Sequence, residues 1–367
     1  MSLTDYKREL QDFLKQKHQI ECKAVVLPDF FLDRIINLKW DPTEFSNLLS
    51  KIAEHKGGSI DGISQMDLRG GNAINTASAL SRLGIKVTPI ICTNEIGLQQ
   101  IKYTFKDAKM DLSHVKIFNK ASTTTALEFR NRDEKTNVML RDLGDLANFG
   151  PSDLNEEDFK LIDEADYNCV FNWAGTLKFG TPLAQAVFGR AKQRGSKTYY
   201  DTADPNPNGE IIHDLLEKVL KTPKVDILSL NENEAITYAS QLDDGFKQKN
   251  NQLVLADLAM EAARVLRRYF LARIDLHTTV FSASFIGKQE VIIPTFRIRA
   301  LRATGAGDAW NAGNILADSS GLSDGCRLML ANLVSACYLS SEDGEHPDKN
   351  RLLRFLEAPC GDVVFNQ

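Results

Sequence analysis

The chain has 367 residues, 43% of them hydrophobic and 25% charged, with a formal net charge of −5. These are ordinary values for a globular protein, and the length suits one large α/β domain or a large domain with a small one. The acidic balance argues against nucleic acid as a partner, and no apolar run reaches the length that spans a bilayer, so no membrane partner is expected. Cys22, Cys92, Cys169, Cys326, Cys337 and Cys360 form no CxxC pair, so neither a zinc site nor a disulfide framework is expected; reduced thiols in the cytoplasm are the plain reading.

Residues 2–19 place Leu3, Tyr6, Leu10, Phe13 and Leu14 at helical spacing. The segment 1–20 is therefore read as a leader helix docked on a domain spanning 21–367. Its charged, partly acidic composition is unlike a signal or transit peptide. A short apolar run at 24–27 reads as a buried strand ending at Pro28-Asp29, with Asp33 just beyond. Open α/β sheets bind ligands past such strand ends, while a solvated loop is the other account of Asp33. Residues 35–38 read as a strand, 42–55 as an inserted helix and 59–68 as alternating. Residues 123–130 and 137–141 flank a polar turn at 131–136 and read as a hairpin. Together they form a small β-lid, with segments at about 34–68 and 120–141. Arg141 on that hairpin either reaches a sugar hydroxyl or carboxylate or makes an exposed ion pair.

Between the lid segments lies Arg69-Gly70-Gly71-Asn72-Ala73-Ile74-Asn75, the opening of a small-residue helix that ends at Gly84. Asn72 and Asn75 share a helical face, and their amides suit a polyol. An Asn cap with a second Asn facing solvent is the alternative. A strand at 86–92, a helix at 94–108 and a strand at 115–118 follow. From 155 onward, strands at 167–172, 197–201, 226–230 and 276–282 alternate with helices at 182–193, 210–219, 232–239 and 253–272. This predicts a mostly parallel sheet covered on both faces, with sites at strand C-terminal ends. Three polar clusters fall there: Asn172-Trp173-Ala174-Gly175, Asp201-Thr202-Ala203-Asp204, and Asn231-Glu232-Asn233-Glu234. The last suits a hydrated magnesium ion, and Asn231 and Glu234 also have capping-box spacing; both can hold at once. Helices at 323–340 and 349–356 close the chain.

The remaining stretch is Arg302-Ala303-Thr304-Gly305-Ala306-Gly307-Asp308-Ala309-Trp310-Asn311-Ala312-Gly313. A small-residue turn opening a helix exposes unpaired N–H groups that suit a phosphate or a developing anion. Asp308 in that turn is an odd choice for phosphate binding alone. It makes sense as a general base beside an anion hole, the alternative being a first-turn Asp placed to suit the helix dipole.

Three of these stretches together resemble the ribokinase-like (PfkB) sugar kinase family. The run GGNAINTASALSRLG at 70–84 is similar to its substrate-side signature, ATGAGDAWNAG at 303–313 looks like its anion-hole signature, and NENE at 231–234 looks like its N-x-x-E motif. The resemblance implies a three-layer αβα domain with a central mostly parallel sheet and a β-lid. It implies phosphoryl transfer from a nucleotide to a hydroxyl of a sugar or sugar acid. Asp308 is then the base, with Gly305, Ala306 and Gly307 as the anion hole. Asp33, Gly71, Asn72, Asn75 and Arg141 face the substrate. Asn231, Thr304 and Asn332 face the nucleotide, and Glu234 holds Mg²⁺ through water. ATP is the expected donor, with ADP as the alternative, and a homodimer through the lid is the expected assembly. The alternatives on the same fold are a nucleoside kinase and a catalytically silent sugar-binding regulator.

Two departures from the family pattern stand out. Arg302-Ala303 replaces the usual Asp-Thr pair, whose Asp commonly helps hold a monovalent cation. Potassium is therefore expected to change the rate little, and Arg302 becomes a candidate for supplying the positive charge. The usual Gly-x-x-Gly loop after the penultimate strand is also missing; the chain reads His277-Thr278-Thr279-Val280-Phe281-Ser282 there.

Overall fold

The computed structural model describes residues 2–16, 20–131, 134–249, 253–302, 304–358 and 364–365. Its centre is an eight-stranded sheet ordered Gln289–Pro294, Phe281–Ile286, Arg273–His277, Ile227–Leu230, Lys197–Asp201, Tyr167–Phe171, Lys23–Leu27, Lys86–Pro89. The six strands from Arg273–His277 to Lys86–Pro89 are mutually parallel; Phe281–Ile286 runs antiparallel to them, and Gln289–Pro294 pairs antiparallel with Phe281–Ile286. Parallel pairing needs crossovers, and these are helices that cover both faces. Successive residues of one strand accordingly enter opposite cores. Val25, Val170, Tyr200 and Leu228 pack into one, and Ala24, Val26, Cys169 and Tyr199 into the other.

The first core is closed by helices such as Gly180–Arg194 and Leu255–Leu266. The second is closed by Asn72–Arg82, Ala306–Ser319 and Asp324–Leu339. The last two helices approach so closely that a Cβ on Gly313 would lie 2.7 Å from Ala331 Cα. The leader helix Leu3–Lys15 docks here too, burying Leu10, Phe13 and Leu14. Its Glu9 accepts hydrogen bonds from Ser323 N (2.9 Å) and Ser323 Oγ (2.5 Å), tying it to the residue that precedes the Asp324–Leu339 helix.

A separate four-stranded sheet, ordered Ser64–Gly70, Phe31–Asn37, Ser122–Asn131, Glu134–Asp142, covers one end of the main sheet. The register sets Asp33 opposite Leu68 and Thr124, and Thr124 opposite Arg141, so these side chains share a face. The helix Pro42–Glu54 lies on the other face, with Phe45 edge-on to Phe129 at 5.8 Å. Residues 132 and 133 of the expected polar turn lie outside the described residues.

Two sequence expectations shift. The first lid strand starts at Phe31, not at 35, so Asp33 sits within a strand and not in a loop. The polar pair Asp33-Arg34 interrupts the apolar run there and hides the alternation. The strand expected at 276–282 is instead two antiparallel strands, Arg273–His277 and Phe281–Ile286. Thr278 turns the chain between them, its N–H donating to Phe281 O at 2.9 Å.

Candidate active site

The parallel strands end at one edge, and their last residues or the first two beyond them form one wall: Asp29, Asn172, Asp201, Asn231 and His277. The Ala306–Ser319 helix points its N-terminus at this wall. Gly305 there has φ of 82°, and a Cβ on it would lie 2.8 Å from the Tyr338 hydroxyl, so only glycine fits. The N–H groups at the turn have no side-chain cap. They open into a cleft of about 580 Å³ lined by Gly305, Ala306, Gly307, Asp308 and Thr304. A second cavity of about 320 Å³ lies under the lid and shares Asp33, Gly71, Asn72 and Thr304 with the first.

Asp308 is buried, at 6% exposure. Asn75 Nδ2 donates to its Oδ2 at 3.0 Å. Burial drives the Asp308 pKa well above the ordinary carboxylate range; Asn75 and Asn72 oppose the shift, and the charges of Asp201 and Asp29 reinforce it. Asp29, fully buried, accepts from Asn72 N (2.9 Å), Ala73 N (2.8 Å) and Asn172 Nδ2 (2.8 Å). It thereby fixes the Asn72–Arg82 helix against the sheet. Gly71 makes this approach possible: its φ is 108°, and a Cβ there would lie 2.7 Å from Asp29 O. Asp201 accepts Asn311 Nδ2 at 2.6 Å, and Asn311 Oδ1 accepts from Tyr199 and Ser229 hydroxyls at 2.7 Å each. This buried network ties the anion-hole helix to two strands.

Under the lid, Asp33 presses against Gly70, where a Cβ would overlap its carboxylate. Its Oδ1 is buried without a partner, and burial pushes its pKa up to about 6 against the opposing effects of Thr124 and Arg141. Arg141 lines the same cavity with its guanidinium 5.4 Å from the Phe31 ring centre, so the structure gives it a ring contact facing the cavity.

Several expected ligands also make internal contacts. Asn75 lines the main cleft and not the lid cavity; its Nδ2 holds Asp308, while its Oδ1 is buried without a partner. Asn332 borders the cleft, but its Oδ1 accepts from Ser282 Oγ (2.5 Å) and Trp310 Nε1 (2.9 Å), while Nδ2 donates to Pro294 O (3.2 Å). It braces Trp310 from the edge of the cleft. Asn231 and Glu234 form the capping box: Asn231 N and Nδ2 donate to the Glu234 carboxylate at 2.9 and 2.8 Å, and Glu234 N donates back at 3.0 Å. Arg302 turns away from the anion hole. Its guanidinium donates to Ser341 O (2.7 and 3.1 Å) and Glu342 O (3.1 Å), so it supplies no charge to the cleft directly. Ala303 lies outside the described residues.

Sequence reasoning set Asp29 and Asp201 at candidate strand ends without giving either a role, and it passed over Asn311. The available signal was weak: a polar residue three positions after Asp308 in a mostly apolar stretch, and an Asp at or near a strand end.

The comparisons with known proteins agree with this geometry. Residues 61–350 match the model of the pfkB family carbohydrate kinases, so the chain belongs to that family. It is a phosphotransferase with an alcohol group as acceptor. It is 24% identical over 304 residues to a ribokinase of Haemophilus influenzae, covering 78% of this chain and 87% of the relative. Its fold is shared with Arabidopsis thaliana ribokinase complexed with ribose and ATP (TM-score 0.70, 17% identity, 92% of this chain and 99% of that one). It is also shared with adenosine kinase from Sinorhizobium meliloti (TM-score 0.66, 16% identity, 88% and 95%).

Proposed function

We propose that the protein transfers the terminal phosphoryl group of ATP to a hydroxyl of a sugar or sugar acid held under the lid. The observation that carries this reading is Asp308, a buried carboxylate of raised pKa at the mouth of an uncapped helix N-terminus. A raised pKa makes it a better proton acceptor for an attacking alcohol. In the step, the substrate oxygen bonds to the terminal phosphorus, the bond from that phosphorus to the bridging oxygen breaks, and the hydroxyl proton passes to Asp308. ADP leaves. The N–H groups of residues 305–307 hold charge that develops on the transferred group.

Asp33, with its unpartnered oxygen, and Asn72 are the proposed hydroxyl ligands, and Arg141 reads a hydroxyl or carboxylate at the far side. A cavity of about 320 Å³ suits a monosaccharide. Its apolar wall, Phe31, Ile35, Ala126 and Met139, favours a second reading in which a nucleoside is the acceptor.

The acidic residues of the wall suit Mg²⁺. Burial, then the charges of Asp201, Asp204 and Glu232, push the Glu234 pKa well up, and a divalent cation would relieve that crowding. Among the described residues no group of three or more His, Cys, Asp or Glu is placed to grip a bare ion, and Glu234 is occupied by Asn231. Glu234 and Asp201 would therefore hold the ion through water, and it would neutralise phosphate charge. The Arg302 guanidinium already occupies the carbonyls of Ser341 and Glu342 with a fixed positive charge, which supports turnover with little need for potassium. Exposed Val138, Met139 and Leu140 on a lid edge strand support a homodimer formed through the lid. The described cysteines are free and buried, in keeping with a reducing cytoplasm. No helix among the described residues is long and apolar enough to cross a membrane.

The test is a panel of sugars, sugar acids and nucleosides with ATP or ADP and Mg²⁺, assayed for phosphorylated product with wild type and Asp308→Asn. Product from wild type alone supports the reading. Tight sugar binding without turnover under every donor would sink it in favour of a silent sugar-binding regulator.

A further inference from the structure

His277 ends the sheet strand that lies beside Ile227–Leu230, and it lines the cleft at the anion-hole turn. Its ring lies against Trp310, the two planes tilted by 33° with centroids 5.0 Å apart. Trp310 is itself locked, its Nε1 donating to Ser282 Oγ (3.0 Å) and Asn332 Oδ1 (2.9 Å). The imidazole is therefore held in one place. Its Cε1 edge faces Gly307: a Cβ built on Gly307 would lie 3.5 Å from Cε1. The adjoining Nε2 is buried and has no hydrogen-bond partner. A buried ring nitrogen left unpaired is costly, and native structures seldom leave one so without a reason. Here the ring's Cε1 edge faces a helix N-terminus whose N–H groups have no side-chain cap.

We infer that His277 completes the anion hole as a neutral N–H donor to a phosphoryl oxygen of the bound nucleotide. Three observations converge on this: the clamped ring, the partnerless nitrogen, and the turn at Gly307 that the ring edge faces. The electrostatics agree. Burial pushes the His277 pKa down to about 4, against the opposing charge of Asp275, so at neutral pH the ring carries one N–H and no charge. A neutral donor can follow the phosphoryl group through transfer without forming an ion pair with Asp308. The same position explains how the chain manages without a glycine loop after this strand. Thr278-Thr279-Val280 makes a tight turn, and a side chain supplies a donor to the phosphates.

The inference rests on the kinase reading above, and the experiment separates the two. Calorimetry on the full chain with ATP and with adenosine, which has no phosphate, is run for wild type, His277→Leu and His277→Gln, alongside kcat and KM for ATP. Loss of a hydrogen bond to a charged group predicts ATP binding to His277→Leu weaker by about 10- to 100-fold. Adenosine affinity should be unchanged. His277→Gln, which keeps an N–H at similar reach, should recover most of the ATP affinity. Equal losses for ATP and adenosine, full ATP affinity in His277→Leu, or no recovery in His277→Gln would each overturn the assignment. If His277→Leu does not fold, His277→Met takes its place. A wild-type protein that binds ATP but turns over no acceptor overturns the kinase reading and leaves the His277 result to stand on the binding data.

Discussion

Asp308→Asn should move activity and stability in opposite directions. The substitution keeps the shape of the side chain and an oxygen that can accept from Asn75 Nδ2, now at 3.0 Å. It removes the only group proposed to take the proton. Loss of a general base typically costs about 10²- to 10⁴-fold in rate, or roughly 3–5 kcal/mol of barrier. The fold, by contrast, is relieved. In wild type the carboxylate is 6% exposed, and Asp201 and Asp29 act on it as like charges, which is why its pKa lies well above the ordinary value. A native pKa above the unfolded one means that the native state holds its proton longer. Wild-type stability therefore falls as pH rises through the unfolded value, about 3.9, toward the native pKa.

The advantage of Asp308→Asn should accordingly vanish in acid and grow as pH rises toward and through the native pKa. Relief of about 1–2 kcal/mol is usual for strained functional sites. At roughly 2.1 cal/mol/K per residue, about 0.8 kcal/mol/K here, that corresponds to a Tm higher by about 1–3 °C. The assays are steady-state turnover on the best acceptor and calorimetric melting at several pH values. Retained turnover would place the base elsewhere. A variant that is inactive and also several degrees less stable would mean that Asp308 holds the fold together, and the reasoning would fail.

Asp33→Asn should raise the KM for the acceptor by about 10- to 100-fold and leave kcat for saturated enzyme nearly intact, as expected for a hydroxyl ligand outside the reacting bond. Because Asp33 binds as a carboxylate with a pKa of about 6, wild-type kcat/KM should decline below that pH, and the limb should be absent from Asp33→Asn. Replacing potassium by sodium or choline should change the rate by less than about twofold, while Arg302→Ala, which frees the carbonyls of Ser341 and Glu342, should make the rate respond to potassium. A large potassium activation of wild type would show that the guanidinium does not serve this role. Gly313→Ala would drive a Cβ to 2.7 Å from the Ala331 backbone and should cost about 1–3 kcal/mol in denaturant melts; an unchanged midpoint would show that the two helices can part freely.

The residues at 70–84 and 303–313 carried much of the site on their own, because what they do is local. A glycine at a positive φ, a run of small residues and an acid in the first turn of a helix act through their own backbone and are legible without neighbours. The alternation of strands and helices after 155 likewise announced a parallel sheet, since burial on both faces requires it. What the sequence left open is everything that depends on which separated residues meet. Periodicity gives the face a side chain occupies and not the partner it finds, so the contacts of Asn75 with Asp308 and of Asn332 with Trp310 were not legible in it. Arg302 read as a charge for the cleft and went to carbonyls of the 341–342 segment. Only the tertiary structure gathered Asp29, Asp201 and Asp308 at one edge of the sheet. The elevated pKa of the proposed base comes from that gathering, because desolvation and like charge act through space and not along the chain.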